Sequence, residues 1–447
     1  MYKNFISAIT WNSINTVFYK TILSVHQIVL FYFIPKELYG ISGTLFAALY
    51  LLIGCTNFGF EYHLFTFFSY YSKSKQNFFY LIYQFCFKIV SITVVLAIIW
   101  SIFHVFQYPL PSTVILYLVI LFAVESIRKY VETVAQLAFL NKNITIIQIA
   151  MISAYVATIW TTFAQCGQIT LNTLFVPLVI VSSIETALIT VFIYQYYQTL
   201  PSQPYATTPA ISMSKKSLLK EQLYSYINQL SKNIFSPNFL MVLIAIHVTM
   251  QQTGIIRFYT NVITLLYMLF NKSIAIPSGA LFSSMTQENF QKTKQIFLKI
   301  TNIYIQILYT LAVITIATIV PHIITNGCQS TTTYLSLWFI TAGFIEYITI
   351  TYEKLYIVQQ KTHQLALINL SSAIVFIITL YCTPLNISTL LIPVCTIRAI
   401  TAYAIGWYAY KKWNILPTIT ISAKAFTAGI FIAAILNCII QMGCTIA

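Results

Sequence analysis

Residues 40–69 read GISGTLFAALYLLIGCTNFGFEYHLFTFFS, and residues 254–283 read GIIRFYTNVITLLYMLFNKSIAIPSGALFS. Superposed without a gap, they share Gly40/Gly254, Ile41/Ile255, Leu51-Leu52/Leu265-Leu266, Asn57/Asn271 and Phe68-Ser69/Phe282-Ser283, an offset of 214. Two further pairs keep nearly the same offset. TLFVPLVIVSSIETALITVFIY (173–194) matches TLLIPVCTIRAITAYAIGWYAY (389–410) at 216, including Pro177/Pro393 and Tyr194/Tyr410. Glu125 and Glu132 are seven residues apart, as are Glu346 and Glu353. The chain therefore reads as an internal duplication.

Its composition names the solvent of that duplication. Of 447 residues, 58% are hydrophobic, 16% aromatic and 7% charged. Soluble domains carry about 25% charged residues, so most of this surface faces lipid. A membrane helix needs roughly 20 mainly apolar residues, and lipid offers no partner to a bare backbone. Apolar runs of that length lie near 11–34, 40–71, 78–106, 113–140, 144–165 and 171–198. A second set lies near 222–247, 254–285, 296–325, 332–359, 364–383 and 387–410, with one more near 418–442. The runs are too long for β-barrel strands and do not alternate. Lys20 and His26 interrupt the first, which has no cleavage site of a signal peptide.

Charge sets the orientation. Lys73 and Lys75, Lys142, Lys215, Lys216 and Lys220, Lys292 and Lys294, Lys361, Lys411 and Lys412 fall in every second connector. The alternate connectors hold no Lys or Arg, Lys36 excepted. By the positive-inside rule the N-terminus is cytoplasmic. The net charge of +15 follows this topology, and no nucleic-acid partner is implied. Residues 199–220, TLPSQPYATTPAISMSKKSLLK, form the longest polar stretch and carry three prolines, which disfavour helix. The expected organisation is 1–198 (spans 1–6), a cytoplasmic linker 199–220, 221–412 (spans 7–12), and an additional helix in 413–447. An even number of spans per copy makes the repeats parallel, about an axis along the membrane normal.

Two stretches then carry a resemblance. SAITWNSINTVFYKTILSVHQIVLFYFIPKELYG (7–40) is a polar-striped first span with a Pro-containing exit. NKSIAIPSGALFSSMTQENFQKTKQIFLKI (271–300) runs from span 8 through a proline into a basic loop and span 9. With the two six-span repeats, this resembles the multidrug/oligosaccharidyl-lipid/polysaccharide (MOP) flippase superfamily, and within it the Wzx-type O-antigen flippases. The resemblance covers the chain to about residue 412. It implies an all-α, V-shaped, two-lobed transporter of the bacterial inner membrane, working by alternating access. It implies a polyprenyl-pyrophosphate-linked oligosaccharide as substrate, and polysaccharide polymerase and chain-length proteins as partners. No enzymatic role, cofactor or metal is expected: eight cysteines and six histidines show no ligand spacing. A thirteenth span departs from the twelve or fourteen common in that superfamily.

Charges within spans are costly and usually face a cavity or a partner. In span 1, Asn12, Thr16, Lys20 and Gln27 lie on one polar stripe, either a cavity wall meeting pyrophosphate or a seam in which Lys20 pairs with a Glu. Lys232 in span 7 sits on a similar stripe, at a cavity or at an interface, ahead of a Ser236-Pro237 break. Lys272 in span 8 precedes Pro277 and would meet the same head group. Arg257, near the outer end of span 8, serves as substrate ligand or interfacial anchor. Arg398 lies at the depth of Glu185 in the matching span and is open to ion pairing or binding. Glu61 reads as an ion-coupling site or as the partner of Lys20 or Lys88. Glu125 is the second ion-coupling candidate, on a helix where Arg128 and Glu132 are spaced for local pairing. The chain has no Asp, so any coupling carboxylate is a Glu. Abundant acidic cavity residues would instead mark a cation-coupled drug or small-solute exporter.

Overall fold

The computed structural model describes residues 2–60, 64, 68, 71, 72, 74–106, 112–202, 215–247, 249–251, 253, 254, 256, 257, 261, 295, 353, 356, 361–382 and 387–413. Every element among them is an α-helix. The first copy gives α1 (Tyr2–Phe33), α2 (Lys36–Cys55), α3 (Lys75–Phe106), α4 (Ser112–Leu137), α5 (Asn141–Cys166) and α6 (Leu171–Thr199). The second gives α7 (Lys215–Asn233), α8 (Pro237–His247), α9 (Thr362–Cys382) and α10 (Ile387–Trp413). Six helices among the described residues, α1, α2, α3, α5, α6 and α9, contain stretches long and apolar enough to cross a bilayer. The helix α4 has the length, yet carries Glu125, Arg128, Lys129 and Glu132. Its charges need partners inside the bundle.

The two copies pack alike. In the first, α1 lies on α5, and α5 on α6; in the second, α7 lies on α9, and α9 on α10. The helices α6 and α10 enclose the matched prolines Pro177 and Pro393. Apolar layers fill each packing. Leu30, Tyr39, Tyr155, Ile159 and Leu174 bury together between α1, α2, α5 and α6. Phe235, Leu240, Ile244, Phe376 and Val394 do so between α7, α8, α9 and α10.

The copies meet at the duplicated glycines. A Cβ on Gly40 would lie 2.0 Å from the Met250 carbonyl oxygen and 3.0 Å from the Gly254 nitrogen. A Cβ on Gly254 would lie 2.3 Å from the Lys36 carbonyl oxygen and 3.2 Å from the Gly40 nitrogen. Lys36 and Met250 are themselves 214 apart. Each contact thus has its mirror, which is the self-complementary pattern of a two-fold interface. Small residues permit such backbone approach in membranes, where apolar surface alone drives no association.

Two runs that read as continuous spans are interrupted. The run 40–71 breaks after α2 at Thr56–Gly59, where Phe58 (φ 45°) and Gly59 (φ 72°) turn left-handed. The Thr56 hydroxyl donates back to the Leu52 and Ile53 carbonyls, competing with the helix ladder. The run 222–247 breaks between α7 and α8, as Ser236-Pro237 predicts. Pro237 lacks the N–H that a continued helix requires, and the Ser236 hydroxyl accepts from the Phe239 amide to start α8. In the linker, α7 already begins at Lys215, earlier than the proline content implies.

Replacing Gly254 by Val should destabilise the protein by about 1–3 kcal/mol, the usual cost of overpacking. The same change at the exposed Gly167 turn, where nothing lies within 4 Å of an added Cβ, tests left-handed strain alone. Thermal melting in detergent reads both. A Gly254→Val protein that melts with wild type would disprove the close crossing.

Candidate functional site

Three polar centres stand out among the described residues. The first ties α1, α4, α5 and α6 together. Arg128 donates to Glu125 Oε2 at 2.6 Å and to Glu185 Oε1 at 2.8 Å. Ser182 donates to Glu125 at 2.6 Å, and Gln148 to Glu185 at 2.9 Å. Asn15 of α1 completes the chain by donating to Gln148 Oε1 at 2.5 Å. Both carboxylates are buried. The expected local pair between Arg128 and Glu132 does not form; Gln136 donates to Glu132 instead. Arg128 chooses Glu185 because α4 packs directly along α6, which brings that carboxylate closer to the bundle interior. Two ionised carboxylates facing one guanidinium would leave this triad one negative charge in excess.

The second centre lies on α7. Lys232 pairs with Glu353 at 2.6 Å, so its charge is met inside the protein. The rest of its stripe faces the first copy. Tyr226 donates to the Cys55 carbonyl at 2.8 Å, Gln222 to the Phe58 carbonyl at 3.3 Å, and Asn57 to Gln229 at 3.3 Å. Phe58 stacks on Tyr226 with ring centroids 4.9 Å apart. Behind them, Asn369 of α9 donates to Asn228 at 2.6 Å. The stripe is thus a seam between the copies. The carbonyls freed by the Thr56–Gly59 break are what its side chains satisfy.

The third centre is Arg257. Three residues from the expected end of its span, it is nonetheless 8% exposed. Its Nη1 donates to the Tyr39 carbonyl and to Ser42 Oγ, both at 2.9 Å, and its Nη2 to Gln27 Oε1 at 3.1 Å. Its guanidinium lies 4.7 Å from the Tyr39 ring centroid and 5.6 Å from that of Phe46. Asn261, one turn on, donates to the Tyr39 hydroxyl at 3.0 Å. Among the described residues Arg257 touches no carboxylate. It is buried because α1 and α2 of the other copy cover it, which removes the interfacial-anchor reading.

The other sequence candidates fall as follows. Gln27 joins Arg257, and Glu125 joins the triad. Asn12 is buried on α1. Arg398 donates to the Phe235 carbonyl at 3.3 Å and lies over that ring, while Glu185, its expected counterpart, belongs to Arg128. Thr16 and Lys20 lie on α1, with side chains outside the described set. Glu61 and Lys272 lie outside the described residues.

The chain matches no protein-family model and no curated protein sequence. Solved structures do match along nearly the whole chain. An outward-facing multidrug resistance MATE family transporter of the MOP superfamily aligns over 91% of this chain and 95% of its own, at 12% identity and a TM-score of 0.64. A MOP superfamily transporter from Pyrococcus furiosus aligns over the same shares at 13% identity, with a TM-score of 0.63. The Vibrio cholerae MATE transporter VcmN aligns over 92% and 96% at 13% identity, with a TM-score of 0.58. This chain has the fold of the MATE transporters.

Within that fold, the sequence reading missed Asn15, Gln148 and Ser182, and also Tyr39 and Ser42. Neutral residues in a long apolar run give no signal of their own. The matched glycines were the available clue for Ser42, which lies two residues beyond Gly40.

Replacing Arg128 by Gln should cost about 3–5 kcal/mol, because it leaves buried carboxylates unpaired. The triple change Glu125→Gln, Arg128→Gln, Glu185→Gln should recover most of that loss in thermal melting. Equal destabilisation of both variants would contradict the charge pairing. At the second centre, a double-mutant cycle of Lys232→Met and Glu353→Met should return a coupling of about 0.5–3 kcal/mol, and a coupling of zero would rule out the bridge.

Proposed function

We propose that this protein is a flippase that carries a polyprenyl-pyrophosphate-linked oligosaccharide across the bacterial cytoplasmic membrane by alternating access, for surface polysaccharide or O-antigen assembly. The observation that carries the reading is Arg257, a buried guanidinium between the two copies that meets neutral acceptors only among the described residues. Burying a cation costs several kcal/mol unless an anion or dense hydrogen bonding compensates it. A site of this sign repels cationic drugs and favours phosphate oxygens, to which guanidinium binds as a fork. Lys20 and Lys272 would add charge along the path of the head group, with Asn12, Thr16 and Gln27 as neutral donors and acceptors for sugar. The Pyrococcus furiosus neighbour is described as having a binding pocket of reverse polarity, which suggests a different function for it. A change of pocket charge on this fold therefore has a precedent. The lysine distribution supports a cytoplasmic N-terminus. A polymerase and chain-length proteins would receive the product at the outer face.

A second reading, a cation-coupled exporter of drugs or small solutes, draws on the triad. Its excess negative charge makes Glu125 and Glu185 a place for a proton or a small cation. Such coupling would also serve a flippase, so the sign of the substrate site decides between the two.

The test is genetic and chemical. Deleting the gene should retain undecaprenyl-pyrophosphate oligosaccharide on the inner leaflet. Wild type should clear it, Arg257→Gln should clear it at least about tenfold more slowly, the equivalent of 1.4 kcal/mol, and Arg257→Lys should fall between. Intact surface glycan in the deletion strain, with no other flippase present, would defeat the flippase reading. Dye efflux that depends on Glu125 and Glu185 would then favour the exporter.

A further inference from the structure

The duplication is symmetric at Gly40 and Gly254 and ceases to be so one helical turn later. Gly43 and Arg257 hold the same place in the two copies, 214 residues apart, and they touch. A Cβ on Gly43 would lie 2.1 Å from Arg257 Cδ and 2.6 Å from its Nη1. One copy supplies bare backbone at the crossing, and the other supplies a long cationic arm laid across it. Any side chain at Gly43 would displace that arm.

The arm ends on the opposite copy. Its three acceptors are the Tyr39 carbonyl and Ser42 hydroxyl on α2 and the Gln27 amide oxygen on α1. All are neutral. Beside them the crossing itself is a backbone contact between glycines, flanked by Ala47 packed against Ile256 and by the Asn261–Tyr39 hydrogen bond. The guanidinium already brings one charge to these bonds, and an ionised acceptor adds the opposite charge and paired oxygens that match its fork. A phosphate oxygen arriving at the arm would therefore win its N–H groups from Gln27, Ser42 and Tyr39.

We propose that Arg257 is a latch between the two copies that an anionic substrate releases. The proposal rests on the anionic-substrate reading above and deepens it. Closed, the arm ties the second copy to α1 and α2. With a pyrophosphate bound, the arm serves the substrate and the glycine crossing is free to part. The ligand gains its hydrogen bonds only in the released state, which is the differential affinity that a population shift requires. Because Gly43 replaces a second arm, one substrate meets one latch.

The protein carries its own reporters. Cys166 at the end of α5 and Cys382 at the end of α9 are repeat equivalents, 216 apart, and both are exposed. Phe163, one turn before Cys166, packs with the layer that holds Tyr39, and Leu380, beside Cys382, packs with that of Ile256. The pair thus brackets the latch. With the other six cysteines replaced by Ser, nitroxides at Cys166 and Cys382 give one inter-copy distance by pulsed electron resonance in lipid nanodiscs. Geranylgeranyl pyrophosphate is the probe, and geranylgeraniol controls for its tail. Wild type should shift to longer distances with the pyrophosphate and not with the alcohol. Arg257→Gln should sit at the longer distance without any ligand. Gln27→Leu with Ser42→Ala, which spares the arm and removes two of its acceptors, should do the same and covers a folding failure of Arg257→Gln. Wild-type distances in both variants would overturn the latch, as would a wild-type protein indifferent to the pyrophosphate. The latch alone fails if such a protein still restores glycan export. Intact export in the deletion strain fails the flippase reading, whatever the distances.

Discussion

Among the described residues, the polar contacts between the two copies are arranged around one close approach of two backbones. Gly40 and Gly254 let the copies touch without side chains between them. In lipid, where apolar surface is no drive to association, such contact is what packing offers. It fixes the height at which α2 meets the helical segment from Met250. That height decides which side chains face each other above and below. Arg257 is buried one turn to one side, where α1 and α2 can supply acceptors. Farther along α2, Tyr226 and Gln222 reach the carbonyls released at Thr56–Gly59.

The buried charges divide by where they lie. Within one copy, Arg128 is matched by Glu125 and Glu185 and Lys232 by Glu353, while the buried Lys88 lies over the Tyr130 ring. Between the copies, the described contacts are neutral apart from Arg257. A salt bridge across a moving seam would have to be broken in water-poor surroundings at every cycle, at several kcal/mol. Neutral hydrogen bonds, worth about 0.5–1.5 kcal/mol each, are cheaper to exchange. The distribution suits a molecule whose halves are rigid and whose boundary is not.

Much of this was legible in the sequence because it depends on chain-local facts. The repeat is written in Gly40/Gly254 and Pro177/Pro393, and the α7–α8 break in Ser236-Pro237. The break after α2 was hidden, since Asn57-Phe58-Gly59 sits inside an apolar run and only its left-handed turn betrays it. Partners were harder than positions. Arg128 has Glu132 four residues away, yet Glu185, 57 residues away, receives its hydrogen bond. Local spacing fixes which pairs can meet on an isolated helix; packing of α4 along α6 decides which do. Arg257 shows the same limit in depth. Counting from the helix end placed it at an interface, whereas the other copy covers it.

The short α8 has a consequence for how the second copy sits in lipid. At 1.5 Å per residue, its eleven residues reach roughly 16 Å, about half the hydrocarbon thickness. The remainder of the span must come from α7, whose Gln222, Tyr226 and Gln229 would be orphaned in lipid. Their acceptors and partners lie on Cys55, Asn57 and Phe58, in the copy synthesised first. The first copy therefore supplies the partners without which α7 would leave polar groups unsatisfied in lipid, so the second copy depends on the first for the solvation of its own opening helix.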